Sequence, residues 1–186
     1  GYGMTETTAA LTYLFPDDHR RALAGEPKLL LSAGRPLLGT QVQVVDAADN
    51  PLPPGEIGEI VGRGPQIMRG YWNREEASRE ALRGGWMHTG DLAVMGPDGY
   101  VQIVGRIKDM VIRGGENIYP REIEEFLYTH PEIEEVQVIG VPDKVYGEQL
   151  MAWIKRKPDL ASPQLVSQDD LKAFCAGKIA HYKVPH

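Results

Sequence analysis

The sequence predicts an α+β fold in two parts, and three patterns support this prediction. Residues 1–107 are dominated by short apolar runs separated by Gly-, Pro- and Asp-rich turns, as in antiparallel sheets. Residues 108–186 read as helix, strand, strand and helix, which is the content of a small α+β unit. The stretch 105–109 between them is charged and glycine-containing, so we place the boundary there.

The first part opens its sheet with two strand candidates. Residues 40–45 alternate with a period of about two, as a half-buried strand does. A dense turn signal follows at 49–55, and the chain returns as a strand over 56–62. Residues 74–82 form a short helix candidate that is stopped by Gly84 and Gly85.

A hairpin closes the first part. Leu92 and Val94 indicate one strand, and residues 100–104 indicate its return. The Gly-Pro-Asp-Gly sequence at 96–99 joins them as a tight turn.

The second part begins with an amphipathic helix. Pro120 suits a first helical turn, and Ile123, Phe126 and Leu127 form a stripe at i, i+3 and i+4. Pro131 ends this helix, and strands are predicted over 135–141 and 149–155.

A final helix is predicted after Ser167, which with Asp170 makes a variant capping box. Its apolar face comprises Leu171, Phe174, Cys175 and Ile179. We therefore expect the thiol of Cys175 to be buried by packing, and Lys178 to lie inside the helix.

Composition excludes several classes of protein. The net charge of −6 disfavours nucleic-acid binding, which needs clustered Lys and Arg. The sequence contains no apolar run near the length of about 20 residues that spans a bilayer. One cysteine permits no internal disulfide and fits a reducing compartment, so we expect a cytoplasmic location.

The first residues carry unusual chemistry for a chain end. The Thr5 hydroxyl can donate to a phosphate oxygen, and the Glu6 carboxylate is a hard ligand suited to magnesium. Tyr2 can stack on a base, and glycines at positions 1 and 3 allow a ligand close to the backbone. A glycine turn leading into a helix capped by Thr5 explains the same residues nearly as well.

A second candidate lies at residues 85–91. The Asp91 carboxylate follows a glycine and can accept two hydrogen bonds from a ribose diol. The alternative is a turn in which Asp91 is a cap. Nothing in the sequence orients His88 for catalysis, so we interpret it as a structural or surface histidine.

The third stretch, Gly105 to Glu124, is specific because its length and order of Gly, Pro and charges are hard to obtain by chance. With Tyr-Gly-x-Thr-Glu upstream and Thr-Gly-Asp between them, it resembles the adenylate-forming superfamily over essentially the whole chain. Gly-Gly-Glu-Asn-Ile-Tyr-Pro at 114–120 is most similar to acyl-CoA and aryl-CoA ligases. The tail 171–185 is similar to medium-chain fatty acyl-CoA synthetases.

The resemblance implies the C-terminal part of a large AMP-binding domain over 1–107, with a distorted barrel subdomain at about 35–105. A small mobile C-terminal domain, truncated, would follow over 108–186. The implied enzyme activates a small-molecule carboxylate, a fatty acid, with ATP and magnesium, releases pyrophosphate, and transfers the acyl group to coenzyme A with release of AMP.

The resemblance also implies roles for the nucleotide-side residues. Tyr2 would lie against adenine, with Gly3 in the same turn. Thr5 would contact the α-phosphate, and Glu6 would bind Mg²⁺. Asp91 would bind the ribose hydroxyls.

The remaining roles concern the boundary and the second part. Arg106 would lie beside the ribose site, and Lys108 would be the hinge residue. The loop that lines the pantetheine tunnel would comprise Gly114, Gly115 and Glu116.

The family's phosphate-binding loop and bridging lysine are absent from the sequence. We therefore expect a fragment that is inactive alone, with residues 1–6 poorly anchored. The alternatives are an aryl-CoA ligase, a carrier-protein ligase, or a non-catalytic module that retains the fold. The sequence indicates neither acyl chain length nor oligomeric state.

Overall fold

A computed structural model describes residues 1–158 and 167–185. The chain divides into two compact units, residues 1–107 and residues 108–186, with the boundary between Ile107 and Lys108. Helices and antiparallel sheets occur in both units, so the predicted α+β class is confirmed.

The first unit contains a four-stranded antiparallel sheet whose strands follow one another in chain order. The strands are β3 (Gln41–Val45), β4 (Ile57–Arg63), β5 (Met87–Met95) and β6 (Val101–Arg106). The turn predicted at 96–99 is confirmed, because the Gly96 amide donates to the Tyr100 carbonyl at 2.9 Å.

Smaller elements flank this sheet. A two-stranded ribbon pairs residues 12–13 with 35–36. The elements are β1 (Thr12–Tyr13), β2 (Arg35–Pro36), α1 (Pro16–Leu23), α2 (Glu75–Ala81) and 3-10 helices at Thr5–Thr7, Pro27–Leu31 and Arg83–Gly85. The predicted helix at 74–82 is thus confirmed within one residue of each end.

Apolar side chains on one face of the sheet form its core. Val44, Ile60, Ala93 and Val101 come from four successive strands and are at most 5% exposed. Burying a valine or isoleucine side chain stabilises a fold by about 1.5–3 kcal/mol. The packed core therefore holds the strands, and the side chains that they carry, in fixed positions.

Strand β5 begins earlier than the sequence predicted. The alternation was clear only at Leu92 and Val94, yet β5 starts at Met87. Asp91 therefore lies within a strand and not in a turn. The regular pattern is hidden because the β4–β5 register shifts between Glu59 and Val61.

The second unit contains another four-stranded antiparallel sheet, in the order β8, β7, β10, β9. Its described elements are β7 (Val111–Arg113), β8 (Glu116–Ile118), α3 (Pro120–Leu127), β9 (Ile133–Asp143), β10 (Gly147–Arg156) and α4 (Gln168–Cys175), with a 3-10 helix at His181–Lys183. A further 3-10 helix, Ile107–Asp109, includes the boundary between the units. The two longer strands and both helices were predicted, whereas the β7–β8 hairpin was not.

The core of the second unit includes the predicted faces of α3 and α4. Ile123 and Leu127 of α3 are fully buried, and Leu171 and Cys175 of α4 pack in the same cluster. The prediction for Cys175 is confirmed, since its side chain is 0% exposed. Burial also raises the pKa of its thiol above the ordinary value.

Helix α4 is shorter than its apolar pattern suggested. It starts at the predicted capping box, where the Ser167 hydroxyl accepts from the Asp170 amide at 3.1 Å. It ends at Cys175, and Gly177 follows with φ +71°. The expectation that Lys178 lies inside the helix is therefore wrong, because glycine in the left-handed region ends a helix.

Candidate functional site

Asp91 is the centre of a polar cluster in the first unit. It lies on β5 directly opposite Arg106 of β6, and Arg106 Nε is 3.2 Å from Asp91 Oδ1. Its side chain is only 14% exposed, whereas that of Arg106 is 58% exposed. Because the arginine is largely solvated, this ion pair orients the carboxylate more than it stabilises the fold.

Tyr2 completes the cluster from the start of the chain. Its hydroxyl donates to Asp91 Oδ2 at 2.7 Å, across 89 positions of sequence. Burial of the ring raises the pKa of Tyr2, so the hydroxyl remains a donor at neutral pH. Both Asp91 oxygens thus have a protein partner, and each keeps a lone pair for a ligand hydroxyl.

Irregular backbone around Gly90 directs Asp91 into this cluster. Gly90 has φ +73°, and the Thr89 hydroxyl donates to the Ile60 carbonyl at 2.7 Å. The same hydroxyl accepts from the Asp91 amide at 3.1 Å. Side-chain bonds therefore replace ladder bonds here, as is common where a bulge redirects a side chain.

Thr5 is the exposed first residue of a 3-10 turn, Thr5–Thr7. The interpretation that Thr5 caps a helix is wrong. The Thr7 hydroxyl makes that contact instead, accepting from the Met4 amide at 3.0 Å and donating to the Met4 carbonyl at 2.9 Å. The Thr5 hydroxyl remains exposed and is a suitable donor for an oxygen ligand.

Glu6 is held in this turn from two directions. Its Oε1 accepts from the Tyr71 hydroxyl at 2.9 Å, and its carbonyl accepts from the Met68 amide at 2.8 Å. With Tyr2 bonded to Thr12, these contacts fix the start of the chain, so the expectation of poor anchoring is wrong. The second oxygen of a partly exposed carboxylate fits Mg²⁺, which favours one or two carboxylates together with phosphate oxygens.

Gly3 also has a packing role that its sequence did not indicate. A Cβ at this position would lie 1.8 Å from the Ala9 carbonyl oxygen and 2.6 Å from the Ala10 Cα. The glycine therefore permits the loop to pack on its own backbone. This close packing positions the turn that carries Thr5 and Glu6.

Replacing Gly3 with Ala is expected to lower the free energy of unfolding by about 2–3 kcal/mol, because rigid backbone must move to admit the methyl group. Gly105→Ala is the matched control, since a Cβ there meets nothing within 4 Å and the φ is not left-handed. Gly105→Ala is expected to change the free energy of unfolding by no more than about 0.5 kcal/mol. Urea unfolding followed by circular dichroism measures both, and equal stability of the two variants would contradict this packing role.

Lys108 and the glycine loop lie in the second unit. Lys108 is exposed in the 3-10 helix Ile107–Asp109, immediately after the boundary between units. Gly114 and Gly115 are the two central residues of the β7–β8 turn, with φ +60° and +90°. Two positive φ values match a type I′ hairpin turn, which is why two glycines occur there.

The tip of this hairpin is anchored on one side. The Gly114 amide donates to the Tyr146 carbonyl at 2.9 Å, and the Arg113 guanidinium lies 4.4 Å from the Tyr146 ring centroid. Gly115 and Glu116 are exposed. The stretch expected to be a loop is therefore a short, defined hairpin.

The structure brings Tyr2, Asp91 and Arg106 into direct contact, and places Thr5 and Glu6 on one turn of the same unit. Sequence reasoning missed Tyr71 and Thr89, which hold Glu6 and the Asp91 backbone. The Thr-Gly-Asp sequence at 89–91 was the available signal for Thr89.

His88 is a buried structural residue and not a surface one. Its Nδ1 lies 2.9 Å from Glu59 Oε2. Asp49, Glu59 and His88 are also the one group in the described part of the chain whose ligand atoms lie within 4.8 Å of one another. No helix among the described residues combines the length and apolarity needed to cross a membrane.

Comparison with known proteins gives two family matches. Residues 1–72 match the family described as AMP-binding enzyme, and residues 122–186 match AMP-binding enzyme C-terminal domain. The putative acyl-CoA synthetase YngI of Bacillus subtilis (strain 168) is 47% identical over 186 residues, covering 99% of this chain and 32% of that protein. A feruloyl-CoA synthase from Amycolatopsis sp is 45% identical over 185 residues, covering 100% of this chain and 35% of that protein.

Solved structures agree with these matches. The o-succinylbenzoate CoA synthetase MenE of Bacillus subtilis, in complex with the acyl-adenylate intermediate OSB-AMP, has a TM-score of 0.84 and 35% identity, covering 99% of this chain and 35% of that one. The same enzyme has also been solved with ATP and a magnesium ion, at a TM-score of 0.82. The chain thus spans roughly a third of the length of each of these relatives.

Proposed function

The chain belongs to the AMP-binding enzyme family, and from that premise we propose that the protein acts in ATP-dependent, AMP-forming ligation of a carboxylic acid to coenzyme A. The observation that carries the proposal is the contact of Asp91 with Tyr2, 89 positions away in sequence, and with Arg106 on the neighbouring strand. A largely buried carboxylate fixed by two partners, with acceptor capacity left over, suits a ribose diol.

The nucleotide site follows from this cluster. Asp91 accepts from the ribose hydroxyls, and the ring of Tyr2 lies against adenine. Arg106 holds the carboxylate oriented beside the ribose. Gly3 serves the nucleotide indirectly, through the packing of its loop.

The phosphate side lies on the turn that carries Thr5 and Glu6. The Thr5 hydroxyl donates to an α-phosphate oxygen, and the Glu6 oxygen not bonded to Tyr71 ligates Mg²⁺. The metal supplies charge neutralisation for the phosphates when it is bound. Because Tyr71 and Met68 fix Glu6, its carboxylate is preorganised for that ligand.

The second unit supplies the second half of the reaction. We assign Lys108 as the hinge residue because it follows the boundary between units directly. The hairpin tip at Gly114, Gly115 and Glu116 lines the path of the pantetheine arm. Bare backbone at two successive residues leaves room for a thin thiol chain.

The reaction proceeds in two steps. An oxygen of the substrate carboxylate attacks the α-phosphorus of ATP, and pyrophosphate leaves with the electrons of the broken P–O bond. The thiolate of coenzyme A then attacks the acyl carbonyl carbon, and AMP leaves. The first unit holds the nucleotide through both steps, and the hairpin of the second unit is needed only in the second.

A fatty acid of medium chain length is our first proposal for the acyl substrate, because the tail 171–185 is similar to synthetases of that class. An aromatic acid is the second candidate, since feruloyl-CoA synthase is 45% identical and MenE 35% identical to this chain.

The test is ATP–pyrophosphate exchange by the full-length gene product with octanoate, ferulate or o-succinylbenzoate, followed by measurement of CoA consumption. Exchange that requires a carboxylate and magnesium is the expected result, and the most effective acid identifies the substrate class. Binding of AMP without exchange for any carboxylate would overturn ligation and favour a non-catalytic module.

A further inference from the structure

Glu59 of β4 is a buried carboxylate that the proposed reaction does not use. Its residue is 9% exposed, and both oxygens are bonded. Oε1 accepts from the Gly90 amide at 2.8 Å, and Oε2 lies 2.9 Å from His88 Nδ1 and 3.3 Å from Arg83 Nη2. Burying a carboxylate is costly unless it is paired in this way, so the arrangement calls for a specific role.

Glu59 accepts a hydrogen bond from the residue next to Asp91, the proposed partner of the ribose hydroxyls. Gly90 immediately precedes Asp91, and the β4–β5 register shifts between Glu59 and Val61. The Gly90 amide is satisfied by the Glu59 carboxylate, and the Ile60 carbonyl by the Thr89 hydroxyl. The Glu59 side chain therefore holds the backbone conformation from which Asp91 extends.

Asp49, Glu59 and His88 also have the spacing of a metal site, but Arg83 argues against that interpretation. Its Nε lies 3.0 Å from Asp49 Oδ2, and its Nη2 lies 3.1 Å from Asp49 Oδ1 and 3.3 Å from Glu59 Oε2. The guanidinium thus supplies the positive charge that these two carboxylates need. A cation at the same place would be repelled by it.

We propose that Glu59 is a positioning residue for Asp91, acting through the Gly90 amide to set the ribose preference of the nucleotide site. The proposal rests on the proposed function, because it assigns Asp91 to the ribose. Glu59 touches neither the nucleotide nor the reacting atoms in this assignment. Its effect is to keep both Asp91 oxygens aligned with Tyr2 and Arg106.

The first experiment compares AMP with 3′-deoxy-AMP by isothermal titration of the full-length gene product. In Glu59→Ala, the preference for AMP over 3′-deoxy-AMP is expected to fall at least fivefold, because the two aligned contacts to the ribose hydroxyls become one or none. Glu59→Gln retains an oxygen for the Gly90 amide and is expected to keep most of the preference. Val44→Ala, in the core of the same sheet, is the control for a general loss of stability and is expected to keep the preference.

The second experiment measures hydrogen–deuterium exchange in the peptide that spans residues 88–92. Glu59→Ala is expected to accelerate exchange there more than Val44→Ala does, because only the former removes the acceptor of the Gly90 amide. Unchanged exchange, or an unchanged AMP preference in Glu59→Ala, would overturn the positioning role. Failure of the unaltered protein to bind AMP would instead overturn the proposed function.

Discussion

Replacing Asp91 with Ala is expected to weaken binding of AMP by at least about 100-fold, because two charge-assisted hydrogen bonds to the ribose are lost at about 1.5–3 kcal/mol each. The substitution also removes the acceptor of the Tyr2 hydroxyl and the partner of Arg106. Asp91→Asn keeps the shape of the side chain but not its charge. Its affinity for AMP is therefore expected to lie between those of the unaltered protein and Asp91→Ala. Isothermal titration of AMP into the full-length gene product measures the effect.

Asp17→Asn is the matched control, since Asp17 lies on α1 and its described partner is the exposed Arg20. Its affinity for AMP is expected to be unchanged. Binding of AMP to Asp91→Ala within threefold of the unaltered protein would contradict the ribose assignment. Equal affinities for AMP and 3′-deoxy-AMP in the unaltered protein and again in Asp91→Ala would place the ribose elsewhere, even if the substitution weakens binding of both ligands.

Replacing Gly115 with Val is expected to slow thioester formation by about 100-fold, since a misplacement of about 1 Å at a reacting group has that effect. Gly115 has φ +90°, which a β-branched residue adopts only with strain, and the added side chain would enter the proposed pantetheine path. Adenylation is expected to change less than twofold, because the residues assigned to the nucleotide lie in the first unit.

Gly99→Val separates backbone strain from obstruction of the path. Gly99 has φ +80° and a Cβ there meets nothing within 4 Å, but it lies in the β5–β6 turn of the first unit and not in the proposed pantetheine path. Its thioester rate is expected to stay within about threefold of the unaltered protein. Pyrophosphate exchange and CoA consumption measure the two half-reactions, and equal loss of both in Gly115→Val would contradict the tunnel assignment.

The sequence predicted those parts of the fold whose causes are local. Gly-Pro-Asp-Gly at 96–99 specifies a hairpin turn by itself, and the apolar stripe of α3 specifies its buried face. The resemblance identified Tyr2, Asp91 and Arg106 as neighbours of one ligand, and the first unit does bring them together.

The features that sequence reasoning missed depend on distant side chains. The start of β5 at Met87 is hidden because Glu59 and Thr89 replace ladder bonds around Gly90, and no local pattern encodes a bond across 31 positions. The role of Gly3 likewise depends on the path of the chain at Ala9. Gly114 and Gly115 were predicted to be loop residues, although two consecutive glycines between short strands also indicate a type I′ turn.

The fully buried thiol of Cys175 has a practical consequence. It is the single cysteine of the sequence and belongs to the core of the second unit. A thiol reagent can therefore modify this chain only when that core opens, so the rate of labelling reports local opening of residues 108–186 separately from the first unit. The natural sequence thus provides a site-specific probe of how each substitution above affects the second unit.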